Sequence, residues 1–265
     1  MKQKLINIAN QYAGLIFAVA LILLWELAGK LGWLPRFIIP TPTMIGRSLI
    51  DDWENLLFHS RITLTQAFLG LTIGIVLAFV FAILMDMFEW IRRAIYPWLI
   101  ITQTIPTVAI APILVLWLGY DMTPKIVLVV LTTVFPMVIS ILNGFANSDQ
   151  EAIQLLKLMG ANHWQILYHV KLPNSMTYFF SGLKVSVSYA FVGSVVAEWL
   201  GGFEGLGVYM IQMKNAFRYD RMFGVIVVIS AISLFFMWVT NLIQRLSIPW
   251  LYRDKKESLW RQLDV

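Results

Sequence analysis

Apolar residues along this chain fall into long blocks separated by short polar stretches. Six such runs occupy residues 12–29, 62–85, 95–118, 126–142, 176–200 and 223–243. Each is close to the roughly 20 residues that a helix needs to cross about 30 Å of hydrocarbon. A helix also satisfies its own backbone polar groups where water is absent. The pattern therefore predicts an all-α, polytopic membrane protein with six transmembrane helices. It divides the chain into an N-terminal span with an outer loop (1–59), a core of five spans (60–245) and a basic tail (246–265).

Between the fourth and fifth runs the pattern changes. The segment QLLKLMGANHWQILYHVKLP, residues 154–173, mixes polar and apolar positions and carries its own helix signals. Ser148 with Glu151, and Asn162 with Gln165, have the spacing of capping boxes, in which the two side chains satisfy free N–H groups of the first turn. Two short helices are expected. The first closes near Gly160, which tolerates the left-handed conformation of a helix end. The second ends before Pro173, whose ring cannot donate to a helix ladder. Leu155, Leu156, Leu158 and Met159 crowd a turn and a half of the first helix, too many for the inner face of an element without a core. Either they lie against the chain's own span ends or the lipid surface, or they fill a cleft on a soluble partner, as an amphipathic helix fills a groove.

Composition fixes the solvent. Of 265 residues, 59% are hydrophobic and 13% charged, against about 25% charged in soluble domains, so most of the chain is expected to face lipid. The net charge of +5 does not point to nucleic acid, because basic residues of membrane proteins mark the cytoplasmic side. With both termini inside, eleven basic residues fall on the inner side and eight on the outer, and Arg92, Arg93 and the tail from Arg245 lie nearest to span ends. This orientation puts the mixed segment in the cytoplasm. Lys2 and Lys4 before the first run imitate a signal peptide, but its 18 residues exceed the usual stretch of about 7–15, and a retained span is expected.

The composition also excludes chemistry. There is no cysteine, hence no disulfide, thiolate nucleophile or thiolate-held metal. The one Gly-Lys pair, Gly29-Lys30, is followed by Leu31, so no phosphate-cradling loop is present. His59, His163 and His169 lie outside the six runs. The expectation is a protein that is not an enzyme and holds no cofactor or metal.

Inside the runs, Pro97, Pro106, Pro112, Pro124 and Pro136 crowd the third and fourth. An interior proline frees a carbonyl, which in lipid must be satisfied by protein or a water-lined cavity. Pro106, Pro112 and Pro136 therefore mark either a solute path or simple kinks. Gly70 and Gly74 have the spacing that permits close helix approach. Glu198 lies about 21 Å along a helix axis from Lys184, too far to pair, and either lines the outer part of a path or rests at the interface. Residues 40–58 and 205–221 either form outer interfacial helices on which an external partner could dock or serve as ordinary loop caps.

Gly160 followed after nine residues by Val170-Lys171-Leu172-Pro173 resembles the cytoplasmic loop signature of permease subunits of bacterial ATP-binding-cassette importers. Gln103-Thr104-Ile105-Pro106 with Ala111-Pro112, Leu118-Gly119, Phe135-Pro136, Asn143-Gly144, and Ala197-Glu198 before Gly205-Leu206-Gly207 are similar to its nitrate, sulfonate and taurine branch. Within the branch, LLKLMGANHWQI and FFSGLKVSVSYAFVGSVVAEWLGG look most like permeases for hydroxymethylpyrimidine-type thiamine precursors. The resemblance implies a bacterial inner-membrane permease core over residues 60–245. It implies a coupling helix made by Glu151, Gln154, Leu155, Leu156, Leu158, Met159, Gly160 and Ala161 with Val170, Leu172 and Pro173. It also implies ATPase subunits that bind the ATP, an extracytoplasmic solute-binding protein and a second copy of the chain. Where the family commonly has glutamate six residues before the glycine, this chain has Gln154, and Glu151 sits one turn earlier. The alternative from another class is a secondary transporter driven by an ion gradient, which would need membrane-embedded carboxylates or an inverted repeat.

Overall fold

Helix accounts for the regular structure of the described residues. The structure, a computed structural model, describes residues 2–35 and 37–249, and their side chains apart from those of residues 2–12 and 15. In order the helices are α1 (Lys2–Lys30), α2 (Pro42–Asp51), α3 (Trp53–Met87), α4 (Glu89–Thr104), α5 (Thr107–Leu118), α6 (Thr123–Ala146), α7 (Gln150–Leu158), α8 (His163–Ile166), a π-turn (Leu167–Lys171), α9 (Leu172–Gly201), α10 (Leu206–Asn215) and α11 (Tyr219–Ser247).

Among the described residues, four segments are long and apolar enough to cross a bilayer: α3, α6, the rod His163–Gly201 and α11. The third predicted run, 95–118, is not one helix but the pair α4 and α5, bent by 105° at Ile105–Pro106. Proline forces the residue before it out of the helical region, and Ile105 sits at φ −86°, ψ 123°. Pro97, Pro112 and Pro136 by contrast stay inside α4, α5 and α6. The bent pair begins beside Leu142, Phe145 and Ala146 at the end of α6. It finishes at Tyr120, beside Lys125 at the start of α6. About 30 Å of helix separates those two ends, so the pair is one broken crossing and the fifth span. The first predicted run lies in α1, part of whose side chains fall outside the described residues, as does the tail from residue 250 on.

Helix α6 is the axis of the bundle, with α9 and α3 packed along it. Small residues set that closeness, as expected where lipid gives no hydrophobic drive for helix association. A Cβ on Gly70 would come within 2.5 Å of Val129, one on Gly74 within 2.5 Å of Thr133 Oγ1, and one on Gly182 within 2.6 Å of Ser140 Oγ. The Gly70/Gly74 spacing is thus used inside the chain. Ser186 Oγ adds a hydrogen bond across the α6–α9 seam, donating to Thr133 O at 3.0 Å. At Gly144 the obstacle is backbone, Ser175 Cα at 2.6 Å. Gly144→Val is therefore expected to part α6 from α9 at a cost of about 1–3 kcal/mol or more, read as a lowered melting midpoint of the purified protein.

The segment 40–58, expected on the outer side, is not a single helix. Thr41 caps α2, which ends at Asp51, and the residues from Trp53 already belong to α3. Glu26 fixes the start of α2 by accepting from Thr43 N at 3.0 Å and Thr43 Oγ1 at 2.8 Å. Within the other such segment, 205–221, the helix is α10, which is shorter.

Candidate functional sites at the two ends of the bundle

At one end, α7 and α8 form a hairpin. Its first cap is Asp149 rather than Ser148: Asp149 Oδ1 accepts from the N–H groups of Glu151 (2.9 Å) and Ala152 (3.3 Å). A carboxylate there also complements the positive end of the helix dipole, while Ser148 turns inward and donates to Gly144 O at 3.1 Å. Gly160, at φ 82°, closes α7. Its N–H donates to Lys157 O and that of Ala161 to Leu156 O, the paired bonds of a left-handed helix end. The second capping box forms as predicted, with Gln165 N to Asn162 Oδ1 at 2.9 Å and Asn162 N to Gln165 Oε1 at 2.7 Å.

Pro173 does not end the second helix. A π-turn precedes it, in which Leu172 N–H reaches back to Leu167 O. The missing proline donor thus falls where the ladder changes register, and the helix runs on into α9 as one rod, His163–Gly201.

The hairpin buries Ile153, Ile166 and Leu167 and turns outward Leu155, Leu158 and Met159, which are 60%, 86% and 74% exposed. Leu156, Ala161, Val170 and Leu172 are half-buried, and Glu151, Gln154, Gly160 and Pro173 are exposed. Trp164 and Tyr168 are exposed as well. The sequence reading missed these two, although their four-residue spacing places them on one helix face. Lys171 Nζ ties the base of the hairpin to α3 through both oxygens of Asp86, at 2.6 and 2.8 Å. Asn174 Nδ2 ties it to α6 by donating to Gly144 O at 2.9 Å. A displaced knob would therefore carry three helices with it.

At the far end, Glu198 is 1% exposed. Thr63 Oγ1 donates to its Oε1 at 2.8 Å and Gly207 N–H to its Oε2 at 2.7 Å. Thr63 Oγ1 in turn accepts from Leu206 N–H at 2.9 Å. Glu198 thus holds the start of α10 against α3, shut away from solvent. Gly205, at φ 121°, has room for no side chain beside that carboxyl, and its N–H donates to His59 Nδ1 at 3.1 Å. The His59 ring stacks on Tyr209 at 4.7 Å. Asp52 gathers the Tyr209 hydroxyl, Arg221 Nη1 (3.0 Å) and Asn55 Nδ2 (2.8 Å). Burial, then the Asp52 carboxylate, pushes the Tyr209 phenol above its ordinary range, so it stays the donor of that bond.

Of two polar residues at this end, Gln66 lay unread within an apolar run, and Lys125, counted only as an outer basic residue, stands just before another. Gln66 and Lys125 are 2% and 3% exposed and border a cavity beside the α5–α6 connection. The elbow at Pro106 forms a smaller recess, of about 40 Å³, lined by Thr102, Gln103, Thr107 and Thr132. Pro112 and Pro136 lie apart from it, within their helices.

A broken span, an apolar knob tied to three helices and a polar seal at the opposite end define a polytopic helical membrane protein in which motion at one end has a route to the other. The chain belongs to the family of binding-protein-dependent transport system inner membrane components, which matches residues 70–251. An ABC transporter permease protein of Haemophilus influenzae is 36% identical over 83% of this chain and 90% of its own length. The formylaminopyrimidine transport permease protein ThiX of Halalkalibacterium halodurans is 33% identical over 89% and 94%. The taurine transport system permease protein TauC of Escherichia coli is 25% identical over 87% and 86%. Among solved structures, a bacterial ABC transporter involved in the import of the acidic polysaccharide alginate shares the fold, with a TM-score of 0.65 and 15% identity over 91% of this chain and 98% of that one. The chain is the permease subunit of an ATP-binding-cassette importer, and the ion-gradient alternative finds no support in these relatives.

Proposed function

We propose that the permease works as a homodimer, in which each α7–α8 hairpin docks into a cleft on one of two ATPase subunits and a solute-binding protein delivers cargo at the opposite end. The observation that carries this reading is the outward Leu155, Leu158 and Met159 on a hairpin held from within by Ile153, Ile166 and Leu167. Apolar side chains fixed in that position are anchors for a groove. Glu151, exposed on the first turn of α7, supplies the acidic contact that Gln154 cannot. The hairpin and both termini then lie in the cytoplasm of a bacterial cell whose inner membrane holds the bundle. ATP is bound and hydrolysed by the partner. Closure of the ATPases draws the two hairpins together, and the Lys171–Asp86 and Asn174–Gly144 ties pass the displacement to α3, α6 and α9. The solute path runs past the Pro106 elbow, where the interrupted helix leaves backbone groups free at mid-depth.

The proposed cargo is a small aminopyrimidine of the thiamine-precursor kind, which the likeness to ThiX supports, ahead of the sulfonate class that TauC represents. Proteoliposomes holding the permease with its ATPase and binding protein are expected to accumulate an aminopyrimidine only with ATP inside. Uptake that persists without ATP and stops when a proton gradient is collapsed overturns the reading.

A further inference from the structure

A cavity of about 150 Å³ lies at the Glu198 end, between Ile62 and Gln66 of α3, the α5–α6 connection and the α9–α10 connection. Gln66, buried at 2% exposure, lines it, and its Oε1 has no hydrogen-bond partner. Native proteins rarely leave such an atom unpaired without a reason, and a turn of the sealed carboxamide toward the cavity would let a ligand pair it. Tyr120 and Phe203 stand at the cavity, exposed and with ring centroids 6.2 Å apart.

Charge narrows the ligand. Lys125 already donates to the carbonyls of Tyr120 and Asp121. Asp121 and Glu204 line the same space, so two acidic residues accompany one largely committed cation. A sulfonate would meet net repulsion there. A carboxamide instead presents an acceptor beside a donor, the pair with which Asn and Gln read an amino group next to a ring nitrogen.

We propose that this cavity is a solute subsite of the permease itself, which takes a small planar aminoheterocycle, neutral or cationic, by pairing its amino edge with Gln66 and setting its ring against the Tyr120–Phe203 pair. It rests on the permease reading and deepens the choice of solute made there. The solute would dwell at this end of the path before it reaches the Pro106 elbow.

The test is ligand-observed saturation-transfer NMR on the full-length permease in nanodiscs, without ATPase or binding protein. The probes are 4-amino-2-methylpyrimidine and, as the sulfonate, taurine. Wild type is expected to bind the aminopyrimidine and not taurine, and Gln66→Leu to weaken binding roughly tenfold, as loss of a buried hydrogen-bond partner does. Because Gln66 is buried, Tyr120→Ala and Phe203→Ala at exposed positions form a second series, each expected to weaken binding several-fold. Absence of binding to wild type, equal binding by every folded variant, or a taurine signal as strong as that of the aminopyrimidine overturns the subsite. ATP-driven uptake in proteoliposomes separates that failure from the failure of the underlying reading. Equal aminopyrimidine uptake by wild type and Gln66→Leu removes the subsite and keeps the permease, whereas uptake of taurine alone removes the solute class.

Discussion

Replacing Leu155 and Leu158 together by aspartate is expected to abolish ATPase association and ATP-driven uptake while the bundle stays folded. Both side chains point away from the protein, at 60% and 86% exposure, and exposed substitutions away from special features usually change stability by less than about 0.5 kcal/mol. In the docked state the same leucines would be covered. Burying each is worth roughly 1.5–3 kcal/mol, and an aspartate in its place adds the cost of a desolvated, unpaired carboxylate. Two such losses exceed about 4 kcal/mol per hairpin, or roughly a thousandfold in dissociation constant. Affinity pull-down of the ATPase and thermal melting of the permease check the two halves of the expectation. Ile153→Asp is the contrasting variant: Ile153 is 6% exposed, so its replacement should loosen the hairpin and lower the melt. If the double variant retains its ATPase at wild-type affinity, the knob is not the docking element.

Much of this architecture was legible because lipid imposes a simple rule on the chain. The runs over 62–85, 126–142, 176–200 and 223–243 fall within α3, α6, α9 and α11, since a span must be apolar for its whole length. The hairpin was legible for a different reason, as Gly160 and the Asn162–Gln165 pair act through local backbone chemistry that needs no tertiary context. Where two local signals competed, the sequence could not decide between them. Ser148 and Asp149 are both good caps, and the choice fell to Asp149 because Ser148 bonds back to Gly144 O four residues earlier, a competing local bond that cap spacing alone does not reveal. Pro173 is a helix breaker by rule, yet the π-turn before it removes the conflict. Pro106, Pro112 and Pro136 read alike, and only Pro106 follows a residue that leaves the helix. Gln66 escaped notice because one polar residue hardly alters the hydropathy of a twenty-residue run, although a buried polar group in lipid is costly and marks function or packing.

Glu198 poses the sharpest remaining choice, since its sequence position allows a path-lining carboxylate as readily as a structural one. Its geometry makes it a fastener, and Glu198→Ala is expected to destabilise the protein by about 2–4 kcal/mol, from one orphaned buried donor and the volume left behind. The orphan is Gly207 N–H; Thr63 Oγ1 keeps His59 O as an acceptor at 3.2 Å. Glu198→Gln should recover most of the loss, because its carbonyl still accepts from Gly207 while its amide can donate to Thr63 Oγ1. The failure should also be local before it is global. With α10 released from α3, the α9–α10 connection around the exposed Phe203 opens first, and chymotrypsin should cut there at temperatures where the wild type is resistant. A solute-contacting carboxylate gives the opposite pattern, in which Glu198→Ala melts and resists protease like wild type but transports poorly. Measuring all three on one preparation separates the roles, because only a fastener couples the loss of transport to an earlier cut and a lower melt.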